Sequence, residues 1–434
     1  MKLERFQLVT LTAWLSRSVQ AVLQLLIIIV ITGMLDANEY TVFILISGLI
    51  TWYMLADIGI GISLQNKISE CRANSKDYLS YIKSSVFIVL ILFIIYIVIL
   101  YFISNFISDL YFRKIVLDTE QNLGKLFFVG SVLMMSTAIF GIIYKVWYAV
   151  EKGYLSTLVP AIATLCSFIL LKMLSAQGSA DNDIMLVVVL YFIPQAVFPL
   201  LFLLNLIYKV VRQPKKWGEI DKEFLRTAFG FFVFALFSAI ILQFDYIVMS
   251  QILQPLDIII YNTFVKIFGL GLFVYTSFLF AVWPVIREKL VSGKFDEVTV
   301  LINKYLPIGL VFMFIFTLGV GLYGNDVFTI LVKNITATAS TVFILLLGIY
   351  YFLRVWTDTF AMILQSANEL KPLRIALPFQ ALVGISLQIF LGGLFGVNGI
   401  VLGLLLSFVL TVSWYFPFRV YRLLNSKGVS NERL

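Results

Sequence analysis

The sequence predicts an all-α polytopic membrane protein with twelve transmembrane helices in two six-helix bundles built as parallel repeats. Three observations lead there. Apolar runs of about twenty residues, the length of a helix that crosses a hydrocarbon core, recur from one end of the chain to the other. The 434 residues are 61% hydrophobic and only 13% charged, with a mean hydropathy of +0.99. That is more apolar surface than a soluble core of this size needs. Third, the polar segment RQPKKWGEIDKEFLR (212–226) lies at the midpoint, and landmarks on its two sides recur at one constant, ungapped offset. The alternating ten-residue strands of an outer-membrane barrel are missing.

Taken in order, the spans fall near 8–33, 40–64, 82–106, 124–149, 155–175, 184–209, 228–252, 257–285, 301–323, 340–366, 373–394 and 399–422. The first has no small-residue cleavage site after it and reads as a retained span rather than a signal peptide. The loops separate by charge. The N-terminus, the loops after even-numbered spans and the C-terminus hold 23 of the 32 Lys and Arg, among them Lys67, Arg72, Lys76, Lys215, Lys216, Arg287 and Lys289. The opposite loops and their flanks hold five, Arg113, Lys114, Lys125, Lys172 and Lys333, beside acids such as Asp36, Glu39, Asp181, Asp183 and Asp326. The positive-inside rule then puts both termini in the cytoplasm and accounts for the net charge of +8 without nucleic acid. Cys71 in a basic loop and Cys166 in a span are poorly matched for a disulfide, and the absence of His excludes His metal sites and His proton relays. No cofactor or metal is predicted.

The repeat is carried by residues that composition alone would not match. Ile68, Glu70 and Lys76 fall on Ile286, Glu288 and Lys294; Ala149, Glu151, Leu155, Pro160 and Ala163 fall on Ala367, Glu369, Leu373, Pro378 and Ala381; Phe198 and Pro199 fall on Phe416 and Pro417. Six spans per repeat is an even number, so the halves share one orientation. The expected domains are 1–211 and 227–434, joined by the cytoplasmic loop 212–226, with an axis along the membrane normal and a central cavity.

Ionisable groups inside spans mark function by default, because each costs about 2.5–3.5 kcal/mol at the centre of a lone helix. They are Arg17, Asp57, Lys145, Asp245, Lys266, Arg354 and Asp358. Polar neighbours at helical spacing show which faces are wet: Arg17, Gln20 and Gln24; Lys145 and Tyr148; Asn262 and Lys266; Tyr350, Arg354, Asp358 and Gln365. Simpler roles compete. Arg354 and Asp358 are one turn apart and can pair. Lys145 can snorkel to the cytoplasmic surface. Asp57 precedes a Gly-rich turn and can end a helix. Arg17 and Lys266 have no acid one turn away, so with Arg354 they are the preferred cavity cations, Lys145 following. Asp57, Asp245 and Asp358 are candidates for ion or proton coupling, or for pairing. Cavity cations imply an anionic ligand, and the Arg fork suits phosphate.

At LADIGIGISLQNKISE (55–70) the chain resembles the polysaccharide flippases of the multidrug/oligosaccharidyl-lipid/polysaccharide superfamily, and WYAVEKGYLSTLVP (147–160) is similar to their connection between spans 4 and 5. Within that superfamily the Wzx-type O-antigen flippases match best. The resemblance implies a MATE-like fold in the bacterial inner membrane and a non-enzymatic function. Its substrate would be an undecaprenyl-diphosphate-linked oligosaccharide, an O-antigen or capsule repeat unit, passed from the cytoplasmic to the periplasmic leaflet by alternating access. Partners would be that glycolipid, the bilayer and further polysaccharide-assembly proteins. Three other readings remain. A drug antiporter of the same superfamily would want an acid where span 1 has Arg17. A major-facilitator transporter would want basic residues directly after Asp57. A membrane polymerase or glycosyltransferase would need a large aqueous loop, and the longest outer one, about 107–123, is small.

Overall fold

The computed structural model describes residues 5–117, 122–177, 183–212, 222–369 and 371–431. Asp181 and most of the central loop, Lys215 and Lys216 included, lie outside the described residues. Within them the chain forms fifteen α-helices and no strand. Ten stretches are long and apolar enough to cross a membrane. The last of these, Lys371–Asn425, is 55 residues long and contains a sharp bend at Gly396 (φ 59°), so it is more than one crossing. A further region, Ala37–Ala73, is helical but interrupted: α2 (Ala37–Gly48), α3 (Ile50–Tyr53) and α4 (Ile60–Ala73) follow one another with a break at 54–59.

The chain divides into two compact units. The first holds 1–239 with 331–335, the second 240–330 with 336–434. The division between these units falls inside α10 (Lys222–Ile252). Segment 331–335 belongs with the first unit because Thr32 Oγ1 donates to Leu331 O (3.2 Å) and accepts from Lys333 N (3.2 Å).

In the first unit, α1 (Arg5–Ile31), α2–α4, α5 (Leu79–Tyr111), α6 (Leu123–Phe140), α7 (Ile142–Ala149), α8 (Gly153–Ala176) and α9 (Ile184–Val211) pack together. In the second, α11 (Pro255–Val291), α13 (Thr341–Ser366), α14 (Lys371–Leu410) and α15 (Val412–Asn431) do so, α13 against α11, α14 and α15, while α12 (Phe295–Leu331) meets α11 through the ring pairs Phe264–Phe328 and Phe268–Phe316. Trp356 Nε1–H donates to Ser413 O (2.8 Å) and Tyr351 O–H to Val265 O (3.0 Å), fixing α13 to α15 and α11. Outward faces are apolar: on α5, Phe102 and Phe106 are 76% and 73% exposed. That inversion is stable only against lipid. Inside, hydroxyls such as Ser136, Thr164 and Thr357 donate to carbonyls one turn back, which removes unpaired donors from the membrane interior.

The offset seen in the sequence returns as geometry. Helices beginning at Ala37, Leu123 and Gly153 have counterparts at that same offset, beginning at Pro255, Thr341 and Lys371. The N-caps of two of them also correspond: Asn122 accepts from Lys125 N, and Ser340 from Phe343 N. The helix ends at Ala73 and Val291 are closed by the same ladder, Lys76 N to Cys71 O (2.7 Å) and Lys294 N to Lys289 O (2.9 Å), with Ser75 and Gly293 in the left-handed region. This is the Schellman closure of a helix C-terminus, written twice at one offset.

Candidate substrate cavity and intramembrane charges

The first unit encloses a cavity of about 470 Å³. Two helix breaks shape it. At the first, Asp57 ends a turn in which Ile58 (φ 48°) and Gly59 (φ 75°) are both left-handed. The Asp57 carboxylate holds the new start of α4, accepting from Gly59 N and Gly61 N at 2.9 Å each. A Cβ on Gly59 would lie 2.2 Å from Ala228 O, so the backbone approach itself demands glycine. The second break is Gly141, between α6 and α7. Beyond it α7 turns Tyr144, Lys145 and Tyr148 onto the cavity wall.

Five of the residues singled out in the sequence meet here: Gln20 and Gln24 from α1, Asp57, Lys145 and Tyr148. The Lys145 chain runs beside the Asp57 loop, since a Cβ on Gly61 would meet Asp57 Oδ2 at 2.5 Å and Lys145 Cγ at 3.3 Å. Arg17 lies one turn before Gln20 on α1, is exposed, and is not among the residues that line this cavity. Sequence reasoning missed Tyr144, Tyr191 and Gln195, which complete the wall. Gln195 beside Pro194, mid-span, was the available signal: an amide in an apolar helix next to a helix-bending residue.

The other intramembrane groups belong to the second unit. Arg354 Nη2 pairs with Asp358 Oδ2 at 3.1 Å, Nε–H donates to the same oxygen at 3.2 Å, and Nη1–H donates to the Tyr350 hydroxyl at 3.2 Å. Its guanidinium also lies 6.0 Å and 5.9 Å from the ring centres of Tyr350 and Phe408. Asp245 is 4% exposed and accepts from the Tyr261 hydroxyl and from Tyr246 N. Asn262 is also buried, accepts a hydrogen bond from the Tyr246 hydroxyl on Oδ1 at 3.0 Å, and leaves its Nδ2 without a partner among the described residues. Lys266, one turn further along α11, is half-buried and makes no hydrogen bond or ion pair among the described residues. Gln365 is half-buried near the end of α13.

Two lipid-exposed bundles with polar interiors and charges held within spans define a polytopic membrane transporter. Solved structures agree on the fold. The lipid II flippase MurJ in an inward closed conformation superposes with a TM-score of 0.72 at 16% identity, covering 96% of this chain and 90% of that one. An inward-facing multidrug resistance MATE family transporter of the MOP superfamily also gives 0.72, at 11% identity over 95% of this chain and 98% of that one. No protein-family model matches the sequence. Relatives do. A Yersinia pseudotuberculosis protein named for O-antigen export is 34% identical over 433 residues, 98% of each chain. A Salmonella typhi protein named for O-antigen transport is 36% identical over 429 residues, 99% of this chain and 98% of that one. The chain belongs to this family of O-antigen transporters.

Proposed function

We propose that the protein is a flippase for a lipid-linked oligosaccharide, carrying an undecaprenyl-diphosphate-linked repeat unit from the cytoplasmic to the periplasmic leaflet of a bacterial inner membrane. The observation that carries this reading is relatedness over nearly the full chain to proteins named for O-antigen transport. The MOP-superfamily fold is consistent with it. Twelve spans in two six-span halves, with both termini cytoplasmic, would let the halves alternate access while the lipid tail stays in the bilayer. Arg17 and Lys266 are the proposed anion contacts along the path of the diphosphate. Lys266 supports that role by having no acid partner among the described residues.

Deleting the gene from the strain that encodes it should abolish the surface polysaccharide and trap the lipid-linked repeat unit on the cytoplasmic leaflet. Returning the wild-type chain should restore display. Lys266→Met should reach the membrane in normal amount and restore much less. A deletion strain that keeps its surface polysaccharide and accumulates no intermediate would refute the function. Full display with Lys266→Met would remove that residue from the substrate path.

A further inference from the structure

The cavity of the first unit has the chemistry of a sugar site rather than of a diphosphate site. Its wall carries two charged side chains, Asp57 and Lys145, of opposite sign. A diphosphate wants several cationic donors in excess of acids, and this wall offers none in excess. What it offers instead is neutral. Gln20 and Gln24 present amides that make no hydrogen bond among the described residues, each able to donate and accept. Tyr144 and Tyr148 add hydroxyls and flat ring faces from α7. Paired donors and acceptors beside apolar faces are what a polyhydroxylated ring requires, and the volume falls in the range of small-molecule sites.

Comparison of the two halves shows that the two helix breaks that shape this cavity have no counterpart at the repeat offset in the second. At the repeat offset, Asp57 and Gly141 fall on Tyr275 and Thr359. There α11 and α13 run unbroken, and the Tyr275 and Thr359 hydroxyls bond to each other at 2.7 Å. Gln24, Tyr144 and Lys145 correspond to Leu242, Met362 and Ile363. Where one half has a break lined by polar groups, the other has continuous helices and a closed hydroxyl pair, and the serines at the offset of Gln20 and Tyr148, Ser238 and Ser366, turn their hydroxyls onto Phe234 O and Met362 Sδ of their own helices.

We propose that the cavity binds a neutral sugar ring of the substrate's glycan, with Gln20 and Gln24 as the hydrogen-bonding pair and Tyr144 and Tyr148 as the ring platform. This deepens the flippase reading and rests on it. The test uses full-length protein with Cys71→Ala and Cys166→Ala and one reporter, Ala138→Cys, on the cavity wall; Ala235→Cys is the second reporter. One probe is the free repeat-unit oligosaccharide released by mild acid from the strain's own surface polysaccharide. The other is inorganic pyrophosphate at the same concentration. At about four times its Kd the oligosaccharide should slow maleimide labelling about fivefold, and pyrophosphate should leave the rate unchanged. Gln20→Leu with Gln24→Leu should label at the unprotected rate, which certifies an open, folded cavity, and should lose the protection. Protection by pyrophosphate instead, or undiminished protection by the oligosaccharide in the double variant, overturns the proposal. Restoration of surface polysaccharide in the deletion strain is scored separately, so failure of the sugar site and failure of the flippase reading give different results.

Discussion

Arg354 is the residue whose meaning changes most between sequence and structure. In the sequence it is an intramembrane cation with an acid one turn away, open to two roles, substrate contact or local pair. In the structure its Nε, Nη1 and Nη2 all point at Asp358 or Tyr350, and aromatic rings lie on the same group. With three of its five N–H donors so engaged and its charge matched by Asp358, the guanidinium offers less to a phosphate than a free one would. The geometry therefore favours the pair, which keeps both charges tolerable inside α13. Removing one partner leaves the other charged and unpaired, a loss of about 3 kcal/mol or more. Arg354→Gln alone should lower the melting temperature and the amount of protein in the membrane. Arg354→Gln with Asp358→Asn should recover most of both and should display surface polysaccharide near the wild-type level. A double variant that is stable yet inactive would return Arg354 to the substrate path. The pairing was legible from the spacing of Arg354 and Asp358. The added contacts of Tyr350 and Phe408 were not, because only packing sets the directions from which they enter.

At the scale of elements, the repeat was legible and the breaks were not. Glu70 with Glu288 and Lys76 with Lys294 carried the offset because charged residues seldom coincide by chance in so apolar a chain. The structure gives the reason: both pairs sit at helix ends closed by the same ladder. The interruptions of α2–α4 and α6–α7 lie in runs apolar enough to read as single spans. Asp-Ile-Gly-Ile-Gly (57–61) looked like a helix terminus, and the chain continues past it as another helix. Nor could the sequence say that Gly59 touches the backbone of Ala228, a contact between elements far apart in the chain. Gly59→Ala should thus be destructive, since it combines a left-handed φ with a Cβ 2.2 Å from a carbonyl oxygen. Gly230→Ala is the matched control, lying in α10 with nothing within 4 Å of the added methyl. Helix propensity there favours alanine by roughly 0.5–1 kcal/mol. Thermal unfolding in detergent should show the first variant falling and the second holding or rising. Equal behaviour of the two would mean that the turn at Gly59 is not a fixed feature of the fold.

For the whole molecule, the strongest expectation concerns orientation, and it comes from the charges outside the spans. The C-terminal ends of α4, α7 and α11 and the turns after them hold Lys67, Arg72, Lys76, Lys152, Arg287, Lys289 and Lys294. Several are tied down locally. Arg72 Nη2 meets Glu151 at 2.9 Å while its Nη1–H donates to Ala149 O, and Arg287 Nη1–H donates to Ser366 O at 2.5 Å. Such ties cap helix carbonyls as well as neutralise charge, so these residues serve the fold whichever way the chain inserts. The asymmetry of 23 basic residues against five has no such local explanation and is what membrane insertion reads. Reporter fusions after residue 215 and at the C-terminus should therefore read cytoplasmic, and fusions near residues 37, 181 and 333 should read periplasmic. The pair at 181 and 215 is the sharpest comparison, because a single crossing, α9, separates them. If both report the same side, α9 does not span, the first half has an odd number of crossings, and the two halves cannot share the orientation that their common offset implies.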